Sequence, residues 1–490
     1  MTLPADGSAA GTRDFAAASL LACDTLLARW GGASAIAARR EHRLAALFAA
    51  ARRCAFYRER FARHGERLAD QPPVRKAELM ERFADWVADP RLRIDRLRDF
   101  VADRASIGQP FDGSYTVWHS SGSSGVPGLF VQDAQAMAIY DALEAQRRPV
   151  IAPWRRWLDP FYLGERIAFV GATSGHFASI VSVERLRATV PTLASRLRAF
   201  SFLQPIADLA AALNQWRPSV IVTYPSTALV LAEEARAGRL PIAACEIWTG
   251  GEALSEATRR HVAQAFGCPV QNSYGASEFL ALASECGQHR LHLNDDWAIL
   301  EPVDEHGVPV PPGQTGRTTL LTNLANHVQP LIRYDLGDRV RISATRCSCG
   351  SPLPVIEVEG RVDDMLQFGA ANGRVIRLSS LALTTVLEDE ASLFDFQLAQ
   401  DGGAPGLTLT LAPGECGAPG DPAVSETARS ALCRYLSQQG LDGLPLRVQR
   451  AVLPGCAASG KRARVVASSD VRLPRGARIT TDARPVVESL

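Results

Sequence analysis

Residues 219–251 read SVIVTYPSTALVLAEEARAGRLPIAACEIWTGG. Two short β-rich runs, SVIVTYP and CEIWTGG, enclose TALVLAEEARAG, whose apolar residues recur at helical spacing. Both runs end in Gly, Pro, Ser or Thr. The pattern extends to either side, with RIAFVGA starting at Arg166 and SEATRRHVAQAFG at Ser255. Strands alternating with helices predict an α/β domain with a largely parallel sheet flanked by helices. Ligands of such sheets sit beyond the carboxyl ends of the strands, where these turns fall.

Upstream, residues 35–65 (AIAARREHRLAALFAAARRCAFYRERFARHG) show helical periodicity, so the first hundred residues read mostly as helix. Downstream, GRTTLLTNL at 316–324 is strand material. At 490 residues the chain exceeds one ordinary core. The expected division is a large N-terminal domain over 1–359 and a small, mobile α+β domain over 360–490, with a loosely ordered tail from about 468. A formal net charge of +1 argues against nucleic acid or an anionic membrane as partner. No apolar run approaches the roughly 20 residues of a membrane helix. The opening TLPADGSAAGTRDF lacks the pattern of a secretory signal, so a cytoplasmic location is expected. Ten cysteines then read as thiols or a metal site rather than a disulfide scaffold.

WHSSGSSGVPGLF, residues 118–130, packs four serines and three glycines between apolar flanks. On its residues alone it is either a flexible connector or a phosphate cradle. It is not a Walker loop, because Val126 and Pro127 follow Gly125 where a lysine would be required. Further segments follow in order: TGGEAL (249–254), QNSYGASE (271–278), IRYDLGDRV (332–340), GRVDDML (360–366) and SGKRARVV (459–466).

Together with HSSGSSGVPG, these segments resemble the adenylate-forming superfamily of acyl-CoA synthetases, peptide-synthetase adenylation domains and luciferases, over about residues 50–466. FYRERFARHG, PPVRKAELM, SECGQHRLHLNDD and RCSCGSPLP resemble in particular its phenylacetate–CoA ligase and coenzyme F390 synthetase branch. The resemblance implies ATP-dependent activation of a carboxylic acid through an acyl-adenylate, then transfer to coenzyme A. It makes Ser120, Ser121, Gly122, Ser123, Ser124 and Gly125 a pyrophosphate cradle. Many relatives carry a lysine where this chain has Val126, a departure expected to slow the chemistry or shift the loop rather than abolish activity.

By the same resemblance, Glu278 is the Mg2+-binding carboxylate. Asp338, chosen over Asp335 by the spacing Tyr-x-x-Gly-Asp, accepts the ribose hydroxyls, and Arg361 contacts the ribose. Gly251, Glu252, Asn272, Ser273, Tyr274 and Gly275 wall the adenine and acyl pockets, with Tyr274 expected to stack on adenine. Lys461 is the mobile lysine that bridges carboxylate and α-phosphate, and Arg464 is expected to be structural. Asp363 is the hinge about which the small domain rotates between half-reactions. His176, Tyr224 and Ser226 are expected in the acyl pocket, which suggests an aryl or arylacetic acid.

Cys286, His292, Cys347 and Cys349 form a candidate structural zinc set of three sulfurs and one nitrogen. His289 is the alternative nitrogen donor, and unliganded buried thiols are the alternative reading. The cofactors expected are ATP, Mg2+, coenzyme A and structural Zn2+. The partners expected are a small carboxylic acid, ATP and coenzyme A, with an acyl carrier protein and a homodimer left open. Rival readings are transfer to a carrier-protein thiol or an amine, and a catalytically silent relative serving as a binding module.

Overall fold

The structure, a computed structural model, describes residues 20–21, 23–28, 30–120, 128–148, 164–359, 366–369, 375–391, 393, 396–402, 405–411, 422–451, 453 and 464–467. Residues up to 359 build one compact unit, and residues from 366 build a second.

The described part of the N-terminal hundred residues is mostly helical, with helices Gly32–Ala51, Ala55–His64, Lys76–Glu81 and Ile94–Ala102. They lead into a hairpin of β1 (Thr116–His119) and β2 (Leu129–Gln132), in which His119 faces Leu129. The strands β3 (Ile167–Gly171), β4 (Leu197–Ser201), β5 (Val220–Thr223), β6 (Glu246–Gly250) and β7 (Val270–Ala276) follow. They run parallel in the order β4-β3-β5-β6-β7. The stretch 219–251 is therefore one strand–helix–strand unit. Pro225 opens its helix, where the missing N–H costs nothing.

The parallel run stops at β7, because the chain turns back through only Ser277 and Glu278 into β8 (Phe279–Glu285). A two-residue connection permits only an antiparallel neighbour. Beyond β8 come β9 (Leu291–Leu293), then β10 (Ala298–Val303), β11 (Thr318–Asn323) and β12 (Leu331–Asp335), which form an antiparallel sheet of their own. Strands β13 (Arg339–Ile342) and β14 (Val355–Glu359) complete the large sheet in the order β13-β14-β9-β8-β7. Half of that sheet is thus parallel and half antiparallel.

The core of this unit gathers Phe56, Tyr57, Trp86, Trp118, Phe130, Tyr140, Phe279 and Tyr334. Tyr57 and Trp86 both donate to the carbonyl of Pro330, so the N-terminal helices are pinned to the segment that enters β12. Buried Asp296 takes Arg147 on both oxygens and Arg43 on one. That ties two helices to the turn before β10.

In the second unit, β15 (Leu366–Gly369) pairs with β16 (Val375–Leu378). Strands β17 (Phe396–Gln400), β18 (Leu407–Leu411), β19 (Leu446–Arg450) and β20 (Val465–Val466) form a mixed sheet in the order β19-β18-β17-β20. Helices Ser380–Ala391 and Pro422–Gln438 belong to the same unit. Arg464 is buried against Glu388 at 2.6 Å, and its carbonyl accepts from Leu398. It is a structural arginine, as its place in SGKRARVV suggested.

Candidate active site

The serine-glycine stretch joins the two strands of one hairpin, so it does not connect domains. Ser120 is buried and closes the loop's base: its N–H donates to the Gly128 carbonyl, and its Oγ accepts from the Gly128 N–H at 3.0 Å. A Cβ at position 128 would lie 2.9 Å from the Lys76 and Phe130 side chains, so a larger residue would have to displace them. Lys76 Nζ stands 3.5 Å from Ser120 Oγ. This lysine lies in PPVRKAELM, just after a residue docked at a strand: Val74 pairs with Tyr334 of β12. Ser121, Gly122, Ser123, Ser124 and Gly125 lie outside the described residues, as do Arg361, Asp363 and Lys461.

The motifs TGGEAL, QNSYGASE and IRYDLGDRV meet at the carboxyl ends of β6, β7 and β12. Gly251, at φ +78°, lies under the Tyr224 ring, where a Cβ would sit 3.0 Å from Cε1. Glu252 accepts from both the N–H and the hydroxyl of Ser226 at 2.9 Å. Its carboxylate therefore caps the first turn of helix Pro225–Arg236, where the helix dipole favours negative charge. Thr249 donates to the Asn272 side chain at 3.0 Å, and Ser273 donates to the Thr249 carbonyl. Gly275 occupies a bulge between Tyr274 and Ala276, and a Cβ there would lie 1.9 Å from the Leu280 carbonyl oxygen. The bulge shapes the hairpin that carries Glu278.

The two motif carboxylates are held crosswise. Tyr274 of β7 donates to Asp338 Oδ2 at 2.8 Å, and Tyr334 of β12 donates to Glu278 Oε1 at 2.7 Å. Each motif thus supplies the tyrosine that holds the other's carboxylate. Burial, then the neighbouring carboxylate charges, hold both hydroxyls well above the usual tyrosine range, so both remain donors. The Glu278 carbonyl accepts from Asn323, and the Ser277 carbonyl from Trp118. Asp335 has a local task instead: its Oδ1 accepts from the Gly337 N–H, in a turn where Gly337 has φ +66°.

His176 is fully buried. Its Nε2 lies 2.9 Å from Ser106 Oγ, its carbonyl accepts from the His119 N–H, and its ring is 5.5 Å from Phe100. His119, which precedes the loop, packs edge-on to Phe177 at 4.7 Å. Burial pushes its pKa down to about 4. Tyr224 lies 5.8 Å from Phe202, and burial raises its pKa.

A separate cluster joins the β8–β9 turn to the β13–β14 loop. The ligand atoms of Cys286, His292, Cys347 and Cys349 all lie within 4.8 Å of one another. The Cys286 and Cys347 sulfurs are 3.8 Å apart, and Cys349 Sγ is 3.4 Å from His292 Nε2. His292 Nδ1 sits 2.9 Å from the Leu353 carbonyl, which turns Nε2 into the cluster. The Gln288 and Ser351 amides approach the Cys286 and Cys349 sulfurs. His289, the alternative donor, faces Glu285 at 3.8 Å. Glu285 in turn accepts from the Asn272 N–H at 2.8 Å and pairs with buried Arg259. This residue links the cluster to the QNSYGASE strand.

Among the described residues, no helix is long and apolar enough to cross a membrane. No protein-family model matches the chain. A 135-residue stretch is 28% identical to protein CapK of Staphylococcus aureus; it spans 26% of this chain and 28% of that relative's own length. Among solved structures, 2-hydroxyisobutyryl-CoA ligase with 2-HIB-AMP and CoA in the thioesterification state matches 88% of this chain and 90% of its own, at 21% identity and a TM-score of 0.52. The same ligase in the postadenylation state with R3-HIB-AMP matches 89% and 90%, at 22% identity and a TM-score of 0.50. With nearly nine-tenths of the chain covered by these matches, it has the fold of 2-hydroxyisobutyryl-CoA ligase.

Proposed function

We propose that this chain activates a small carboxylic acid with ATP and passes the acyl group to coenzyme A. The carrying observation is the crosswise Tyr274–Asp338 and Tyr334–Glu278 pairing, which sets two carboxylates of different expected tasks side by side. In the first step a substrate carboxylate oxygen attacks the α-phosphorus of ATP, and the bond to pyrophosphate breaks. In the second, the thiol sulfur of coenzyme A attacks the acyl carbon, AMP leaves and the thiol proton is released. Both steps bring anions together, so positioning and charge neutralisation carry the catalysis.

Asp338 accepts the ribose hydroxyls, and Asn272, Ser273 and Gly275 wall the nucleotide. Glu278 suits Mg2+, a hard cation that takes one or two carboxylates beside substrate phosphates and would neutralise phosphate charge here. Lys76 brings positive charge to the base of the Ser120 hairpin, which Val126 does not. Lys461 reaches the α-phosphate in the first step, Arg361 contacts the ribose, and Asp363 is the hinge for the second. Tyr224 and Phe202 support an aromatic-lined slot for an aryl or arylacetic acid. Cys286, His292, Cys347 and Cys349 fit one structural Zn2+ with no open position.

The test is AMP and pyrophosphate release across a panel of carboxylic acids, with and without coenzyme A. Acid-dependent pyrophosphate release, with acyl-CoA formed only when coenzyme A is present, is the expected result. Acid-independent ATP turnover, or none with any acid, would refute it. Acyl transfer to an amine or a carrier thiol in preference to coenzyme A would correct the acceptor alone.

A further inference from the structure

We infer that Tyr334 is a positioning residue for the Glu278 carboxylate, holding it in the orientation that Mg2+ on the ATP phosphates requires. The inference rests on the reading of Glu278 as the metal-binding carboxylate. Glu278 lies in the two-residue connection between β7 and β8 and is only partly buried, so packing alone does not set its rotamer. The bonds from Trp118 to the Ser277 carbonyl and from Asn323 to the Glu278 carbonyl fix the backbone. The Tyr334 hydroxyl, at 2.7 Å, reaches the carboxylate itself.

Tyr334 is in turn aimed by an unusual residue. Arg333 has φ +51°, a left-handed backbone that arginine seldom adopts within a strand. Three side-chain bonds hold it there: Nε to Glu301 at 3.1 Å, Nη1 to the Gln71 carbonyl at 2.6 Å and Nη2 to the Gly307 carbonyl at 3.1 Å. Its N–H donates to Thr322 Oγ1 at 3.1 Å. The β11–β12 register slips at this point, between Leu321 and Asn323. Such irregularities re-aim the side chain that follows, and here that side chain is Tyr334. A tyrosine needed only to fill the core could sit in a regular strand.

The experiment is isothermal titration of the full-length chain with MgATP and, in EDTA, with metal-free ATP. Tyr334→Phe keeps the buried ring and removes only the hydroxyl. We expect its Kd for MgATP to rise about tenfold, the lower end of the loss when a residue behind a metal ligand is removed. Its Kd for metal-free ATP should stay within about twofold of wild type. Tyr274→Phe, which releases Asp338, should weaken both nucleotide forms alike, and so separates metal positioning from general loss of order. An equal loss of both forms in Tyr334→Phe, or no loss of either, would overturn the inference. Glu278→Gln separates the two levels. If it loses the preference for MgATP while Tyr334→Phe keeps it, the inference alone fails. If Glu278→Gln keeps that preference, the metal-binding reading and the inference fail together.

Discussion

Arg259→Met tests whether the hairpin that carries the Cys286–His292 cluster holds the QNSYGASE strand in place. Arg259 and Glu285 are both buried, and Glu285 also accepts the Asn272 N–H. The substitution leaves a buried carboxylate with one backbone donor in place of a bidentate guanidinium. Breaking a buried pair from one side costs about 3–5 kcal/mol. The double variant Arg259→Met/Glu285→Leu removes both charges, but leaves the Asn272 N–H and the Val270 carbonyl without their partners. The Val270 carbonyl loses its partner in both variants, so what the double variant adds is the Asn272 N–H, at about 1–3 kcal/mol, against the larger cost of the unpaired carboxylate it removes. The two compact units make one global unfolding energy ill-defined. Tryptophan fluorescence avoids the problem, because all eight tryptophans lie between Trp30 and Trp297, in the first unit. With a urea m-value of about 3 kcal/mol/M, Arg259→Met should lower the midpoint by about 1 M or more. The double variant should recover part of that shift. A shift in Arg259→Met corresponding to under about 1 kcal/mol, or double-variant losses equal to the sum of the singles, would refute the reasoning.

Cys349→Ser should lower zinc content from about one equivalent to a small fraction and depress the melting temperature; a metal-free wild-type protein of equal stability would contradict the site. His119 sets an acid limit. Its folded pKa is depressed to about 4 from the ordinary 6.5, so the unfolded chain binds the extra proton. Stability present above pH 6.5 is therefore lost as pH falls toward 4, by up to about 3 kcal/mol. His119→Gln should flatten that limb of the stability–pH curve, and an unchanged limb would count against it. Lys461→Ala should abolish adenylate formation yet still transfer a supplied acyl-adenylate to coenzyme A. Asp363→Pro should do the reverse, because proline fixes φ where a hinge must change it. Single-turnover assays of each half-reaction check both, and identical defects in the two variants would remove the two-state hinge.

What the sequence revealed was local. Strand–helix alternation around 219–251 gave the α/β class, while the bond from the Gly337 N–H to Asp335 was not foreseen from IRYDLGD. The antiparallel half of the sheet was hidden because it depends on a turn of only Ser277 and Glu278, whose bulge rests on Gly275. The Tyr–carboxylate exchange joins residues 64 and 56 positions apart, so no window of sequence contains it. Lys76 was missed for the same reason, since Ser120 lies 44 residues away. Glu252 was read as a pocket wall, while its carboxylate is bonded to Ser226. That Cys286, His292, Cys347 and Cys349 come together was legible because cysteine and histidine are scarce enough for two short loops to stand out.

The most direct measurement is mass spectrometry of the full-length protein after incubation with ATP, Mg2+ and an accepted carboxylic acid, with coenzyme A left out. Wild type should retain an acyl-adenylate whose mass shifts with the acid supplied and disappears when coenzyme A is added. Glu278→Gln, folded and at the same concentration, should retain none above background. Turnover of ATP without any acyl-adenylate in the wild type, or full adenylate formation by Glu278→Gln, would contradict the account.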